Sequence, residues 1–215
     1  MSFADPGWVV VVPVKHSSVA KSRLANLSAR ARAVLARAFP LDCVAAGLSS
    51  SAVAHVLVVT DDATVAATVR DLGASVVADE PDSGLNPALI HGCTHAREHW
   101  GDTPVAALSG DLPSLRAAEL TGALSMAVVH KRAFVSDAAG TGTTMLTAGR
   151  GVELEPQFGT GSADAHRSSG AIELDASELV TVRRDVDTEM DLRDALGLGV
   201  GGHTRRALQD LGVVL

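Results

Sequence analysis

Two acidic segments carry the chemistry this chain offers. In "VAALSGDLPSL" an apolar run reaches Gly110 and Asp111 and is stopped by Pro113; in "RRDVDT" the residues Asp185 and Asp187 follow another Val-rich run. Each carboxylate stands where a buried strand should end. In an open parallel sheet, ligands sit beyond the carboxyl ends of the strands, where successive connections diverge. Two carboxylates converging there from separate strands suit a hard octahedral cation such as Mg²⁺, with phosphate oxygens and water as the remaining ligands. Gly-Asp-x-Pro is also ordinary turn chemistry, and Asp187 or Thr188 could cap a helix, which leaves Asp185 without a structural task.

Cations follow the first strand. "PVKHSSVAKSRL" places Lys15, Lys21 and Arg23 within nine positions of an otherwise acidic protein, enough positive charge to meet a triphosphate. The glycines of a P-loop are missing, and no G-x-G-x-x-G follows the strand. In "LGASVVADEPDSGLNPAL", the segment Gly84 to Pro87 connects a third strand to a helix and could surround a nucleotide base. Asn86 is expected there as helix cap or as ligand contact, with capping favoured physically. Two Gly-rich segments, "AAGTGTTM" and "FGTGSADAH", read as hairpin loops or anion-binding turns, with hydroxyl donors at Thr143 and Ser162. Their small side chains suit a small phosphorylated acid better than a bulky sugar. "HGCTHAREH" formally contains the H-x-x-E-H of a zinc-protease class at His95 and His99, but it falls mid-helix, and a zinc site is not expected.

The elements needed to hold these groups are legible in the periodicity. Trp8–Val14, His55–Thr60, Ala74–Ala78 and Pro104–Ser109 are continuous apolar runs, as strands covered on both faces should be. Helices are predicted over about Ser28–Gly47 (kinked or split at Pro40), Asp62–Leu72, Asn86–Gly101 with Asn86 as N-cap, and Ser114–Met126. Beyond Lys131 come shorter strands, "AFVSD", "TTMLT", "AIELD" and "LVTVR", and a last helix that opens on Thr188 and closes at Gly197. The fold class is α/β, a doubly wound, mostly parallel sheet in one domain over 1–215. Residues 1–130 form the nucleotide- and metal-binding core, and 131–215 an elaboration that covers the site.

Composition limits the partners. With 215 residues, 47% of them hydrophobic, the chain can bury a large core; with 3% aromatic residues and no Tyr, that core is aliphatic and offers no base-stacking platform. A formal charge of −7 argues against nucleic acid and anionic membrane. The amino-terminal segment has no cationic region ahead of its apolar run, no run reaches the roughly 18–20 residues of a spanning helix, and Cys43 and Cys93 make no disulfide framework. The expected location is the cytoplasm.

Taken in order, "PVKHSSVAKSRL", "LSGDLPSL", "GTGTTML", "FGTGSADAHRSSGAIEL" and "RRDVDTEMDL" resemble the phosphoenolpyruvate and 2-phospho-L-lactate guanylyltransferases of coenzyme F420 biosynthesis, from about Val9 to Gly199. The resemblance implies a Rossmann-like, GT-A-related nucleotidyltransferase fold with a mixed sheet. It implies Mg²⁺ on Asp111 and Asp185, with Asp187 beside them, and GTP met by Lys15, Lys21, Arg23, Gly110 and Asn86. Thr143, Gly159 and Ser162 then match acceptor-binding positions, and coupling to the downstream transferase that consumes the product is implied. The Ala, Val, Arg and Gly-rich composition suggests a bacterial member, hence phosphoenolpyruvate as acceptor. The alternatives are 2-phospho-L-lactate or 3-phosphoglycerate, a sugar-phosphate or molybdopterin-type nucleotidyltransferase, a D-x-D glycosyltransferase, or a nucleotide-binding module without turnover.

Overall fold

A computed structural model describes residues 7–14, 24, 26–80 and 82–212. Its centre is a seven-stranded sheet in the order β3-β2-β1-β4-β6-β5-β7. The four expected amino-terminal strands, β1 (Trp8–Pro13), β2 (Val53–Val59), β3 (Ser75–Val77) and β4 (Val105–Leu108), pair in parallel. After them, β6 (Thr143–Ala148) runs antiparallel to both β4 and β5 (Arg132–Ser136), and β7 (Ile172–Glu173) adds in parallel at the edge. The strand order reverses direction between β1 and β4, which opens a crevice beyond their carboxyl ends.

Val-rich strands are required because both faces are covered. Val10 and Val12 of β1 face a cluster with Cys43 and Val44 of α1 (Ala29–Ser49), Val65 and Val69 of α2 (Ala63–Leu72) and Leu120 and Leu124 of α4 (Ala117–Ala127). Val9 and Val11 face the other way, onto Leu89, Cys93 and Ala96 of α3 (Leu85–Trp100) and Ala163 of α5 (Ser162–Ser168). Outside α1, a third cluster joins Leu35 and Phe39 to Leu192 of α7 (Glu189–Leu198) and Leu208 of α8 (Gly202–Asp210).

Several expectations change. The helix over 29–49 runs through Pro40 as one element, capped by the Ser28 hydroxyl, which accepts from the Ala31 N–H (3.1 Å). The helix at 85–100 is preceded by Gly84, which gives no side-chain cap, so Asn86 is not its N-cap. The fourth helix starts at Ala117 rather than Ser114, because Leu112 to Leu115 close a separate turn (Leu115 N–H to the Leu112 carbonyl, 3.0 Å).

"LVTVR" is not a strand. Val180–Arg183 forms one helical turn, α6, and docks on α4. There the Thr181 N–H donates to Glu119 Oε2 (2.7 Å) and the Thr181 hydroxyl accepts from the Arg116 N–H (3.1 Å). The Arg183 guanidinium donates to the Ser136 and Asp137 carbonyls (3.3 and 2.8 Å), and these tertiary partners override the β preference of Val and Thr. "FGTGSADAH" is likewise no hairpin: it turns into α5 at Ser162. The helix opened by Thr188 ends at Leu198, and α8 follows it, an element the sequence reading lacks.

Candidate active site

Asp111 lies just past β4, in a turn pinned from three sides. The Ser109 N–H donates to the Thr144 carbonyl (2.8 Å), the Val186 N–H to the Asp111 carbonyl (3.0 Å), and the Gly201 N–H to the Pro113 carbonyl (2.8 Å). The Ser109 hydroxyl donates to Asp111 Oδ1 at 2.5 Å and orients the carboxylate. Gly110 fits by close approach: a Cβ there would lie 3.3 Å from the Pro13 carbonyl oxygen and 3.5 Å from Pro40 Cβ, so a side chain would crowd the place where the ends of β1 and β4 come together.

The bond between Val186 and Asp111 sets Asp185 beside Asp111. Asp185 follows a helical turn and not a strand, yet the two predicted carboxylates do meet. Burial pushes the Asp185 carboxyl up to about 7, and the negative charges of Asp111, Asp137 and Asp187 push in the same direction. Asp137 is the residue that sequence reasoning missed. It stands directly after β5, the same signal that singled out Asp111, and its carboxylate accepts from the Thr141 N–H (2.9 Å) and the Gly142 N–H (2.8 Å) to shape the β5–β6 hairpin.

Asp187 is not consumed by capping. Thr188 caps α7 in a reciprocal box with Asp191, whose carboxylate accepts from the Thr188 N–H (2.7 Å). Asp137, Ala138, Arg184, Asp185, Asp187 and Thr188 together line a pocket of about 340 Å³. A larger cleft of about 670 Å³, lined by Arg97, Asp102 and Glu153 among others, lies at the opposite end of the sheet. None of the predicted residues lines it.

Thr143, the first residue of β6, reaches the same edge because β6 is antiparallel: it pairs with Ser136 at the end of β5. The Ala163 N–H donates to the Thr141 carbonyl (3.1 Å) and brings the turn before α5 against the hairpin. Within that turn Gly159 and Gly161 have φ of 138° and 73°, conformations that a side chain would strain, and Ser162 is buried at the start of α5. Thr143, Gly159 and Ser162 are therefore brought to one side of the site.

Asn86 acts on this same turn. Its amide donates to the Phe158 carbonyl (3.1 Å) and accepts from the Phe158 N–H (2.8 Å), fastening the first turn of α3 to the residue before Gly159. Lys15, Lys21 and Arg23 lie outside the described residues; Val14, just before them, is held by the Val59 carbonyl (2.9 Å) at the carboxyl end of β1.

Could these groups hold a metal? Among the described residues no three or more His, Cys, Asp or Glu side chains are grouped to enclose an ion by themselves. The chemistry of the donor set, all carboxylate oxygen, fits a hard cation that takes two protein ligands and completes its shell from phosphate and water. Asp111 and Asp185, brought together by the bond from the Val186 N–H to the Asp111 carbonyl, offer two carboxylates of that kind. His95 and His99 stack on one another (6.1 Å between ring centroids), and His99 meets Trp100 edge-on.

A family model described as "Guanylyl transferase CofC like" matches residues 8–215. The chain belongs to the CofC-like guanylyl transferase family. Two relatives in that range of similarity are each named phosphoenolpyruvate guanylyltransferase. The one from Streptomyces coelicolor is 53% identical over 92% of this chain and 93% of its own. The one from Geodermatophilus obscurus is 53% identical over 94% of each. Among solved structures, a nucleotidyl transferase from Methanothermobacter superposes with a TM-score of 0.57 at 18% identity, over 89% of this chain and 97% of its own. A putative nucleotide-diphospho-sugar transferase from Desulfovibrio desulfuricans gives 0.56 at 16%, over 93% and 97%. These likenesses establish the nucleotidyltransferase fold, and the CofC-like chain places its acidic cluster at the crevice that fold provides.

Proposed function

We propose that the protein transfers GMP from GTP to phosphoenolpyruvate, releasing pyrophosphate and giving enolpyruvyl-diphospho-5'-guanosine, a step of coenzyme F420 biosynthesis. The observation that carries this reading is the meeting of Asp185 with Asp111 through the bond from the Val186 N–H to the Asp111 carbonyl (3.0 Å), with Asp137 and Asp187 close enough for their charges to bear on it, an arrangement suited to a bound cation. Relatives at 53% identity that are named for this reaction support the choice of nucleotide and acceptor.

The chemistry follows from charge. A phosphate oxygen of the acceptor attacks the α-phosphorus of GTP in line, and the bond to pyrophosphate breaks. The nucleophile is anionic at neutral pH, so no general base is needed. Mg²⁺ held by Asp111 and Asp185 would neutralise phosphate charge and stabilise the leaving group. Ser109 fixes the Asp111 carboxylate for that task, and Gly110 keeps the crevice floor bare where the nucleotide lies. Lys15, Lys21 and Arg23, by their place in the sequence after β1, meet the triphosphate. Asn86 serves the site by fixing Phe158, while Thr143, Gly159 and Ser162 receive the phospho-acid. Asp187 adds negative charge at the rim.

The test is pyrophosphate release from GTP, CTP and ATP against phosphoenolpyruvate, 2-phospho-L-lactate and 3-phosphoglycerate, with Mg²⁺ and the downstream transferase present. Release confined to GTP with phosphoenolpyruvate is expected. Release with another acid reassigns the acceptor, and binding of GTP without release under every condition overturns the enzymatic reading.

A further inference from the structure

His166 is a buried group that this chemistry does not use. It lies in α5 with no exposed surface, between the rings of Phe134 (5.8 Å between centroids) and Phe158 (5.2 Å). Both its nitrogens are engaged. The Gln157 N–H reaches Nε2 at 2.9 Å, and Nδ1 is 2.9 Å from the Thr143 hydroxyl. A backbone N–H can only donate, so Nε2 must offer its lone pair and carries no proton. Burial, with the charge of Arg132 adding to it, pushes the imidazole down to about 4, so the ring is neutral near pH 7. A neutral imidazole has one N–H, which these contacts place on Nδ1.

The consequence falls on Thr143. Nδ1–H donates to its oxygen, and no other described residue accepts its hydroxyl hydrogen. We infer that His166 is a positioning residue that makes the Thr143 hydroxyl a committed donor toward the acceptor, so that the site selects an acceptor presenting an anionic oxygen at Thr143. This rests on the reading of Thr143 as an acceptor contact. The Gln157 amide that fixes the ring is next to Phe158, which Asn86 holds, so the turn that receives the acceptor also sets the tautomer.

An asparagine amide nitrogen occupies roughly the place of Nδ1, and a glutamine amide roughly that of Nε2, so the two substitutions separate the roles. His166→Asn keeps a donor to Thr143 and gives up the Gln157 contact; His166→Gln does the reverse. With phosphoenolpyruvate as acceptor, His166→Gln is expected to raise the acceptor KM about tenfold, leaving the KM for GTP unchanged, and His166→Asn to stay within about threefold of wild type. In a Thr143→Val background, which itself raises the acceptor KM, His166→Gln should add nothing further.

Wild-type behaviour of His166→Gln with impairment of His166→Asn would mean that the ring merely braces Gln157, and the proposal fails alone. If Thr143→Val leaves the acceptor KM unchanged, the assignment of Thr143 fails and takes the proposal with it. Should both histidine variants misfold, ¹⁵N spectra of the wild-type protein at neutral pH decide: an Nδ1-protonated His166 is expected, and an Nε2-protonated one overturns the inference.

Discussion

Replacing Asp185 by asparagine should make the protein more stable while it removes activity. The carboxyl is shifted from 3.8 to about 7, first by burial and then by the charges of Asp111, Asp137 and Asp187. At about 1.4 kcal/mol per pK unit, a shift of roughly three units sets an upper bound of about 4 kcal/mol on what ionised Asp185 costs the metal-free fold. Because the group keeps some contact with solvent, a realistic gain for Asp185→Asn is about 1–3 kcal/mol, or roughly 3–9 °C in Tm for a chain of this size.

The sign and the pH window are specific. Below about 4 the carboxyl is protonated in both states and costs nothing. Between about 4 and about 7 the unfolded chain releases this proton and the folded protein keeps it, so wild-type stability falls with rising pH relative to the variant; above about 7 the gap is constant. Melting curves at pH 5, 6, 7 and 8 without divalent cation measure it. Added Mg²⁺ should raise the wild-type Tm and leave the variant nearly unmoved. A variant that melts at or below wild type at pH 8, or a gap that does not widen from pH 5 to pH 7, would refute the account of the cluster.

Other perturbations separate the site from its supports. Asp111→Ala should lower kcat by about 10²–10³ with little loss of Tm, since it removes a repelling charge along with a ligand; comparable turnover would end the metal assignment. Asn86→Ala breaks both bonds to Phe158 and should raise the acceptor KM several-fold at constant GTP KM, whereas a selective rise for GTP would return Asn86 to the nucleotide. Asp42, buried in α1, accepts from the His203 and Thr204 N–H groups (2.9 Å each) and caps α8 from outside it. Asp42→Ala should therefore cost about 1–2 kcal/mol, read as a lower Tm with kcat retained.

The legible part of the fold is the part whose residues answer to local rules. Val-rich runs declared four parallel strands because strands covered on both faces must be apolar throughout, and Ser28, Asp62 and Thr188 declared helix starts because their side chains satisfy the backbone there. What escaped depends on partners distant in sequence. Val180–Arg183 has strand-like residues, but its hydrogen bonds go to Arg116, Glu119, Ser136 and Asp137, and α8 is capped by Asp42, 161 positions away from His203. Asn86 carries a capping residue's chemistry yet spends it on Phe158. The convergence of Asp111 and Asp185 was legible, while Asp137 carried the same signature after its strand and went unread.

The antiparallel strand explains how one edge of the sheet comes to hold both the acidic cluster and the residues proposed to receive the acceptor. Had β6 run with its neighbours, Thr143 would start at the far end, away from Asp111 and Asp137. Reversed, it puts its first residue beside the last residue of β5, and the hairpin that reverses it is tied by Asp137, one of the charges bearing on Asp185. The acidic cluster and the proposed acceptor side thus share a carboxylate and a turn. From the other side, Asn86 and His166 hold the Gln157–Phe158 backbone, so the segment entering α5 is fixed to α3 and to Thr143 at once. A reaction that must bring two anions together against their repulsion gains from such coupling, because neither half of the site can shift without moving the groups that place the other.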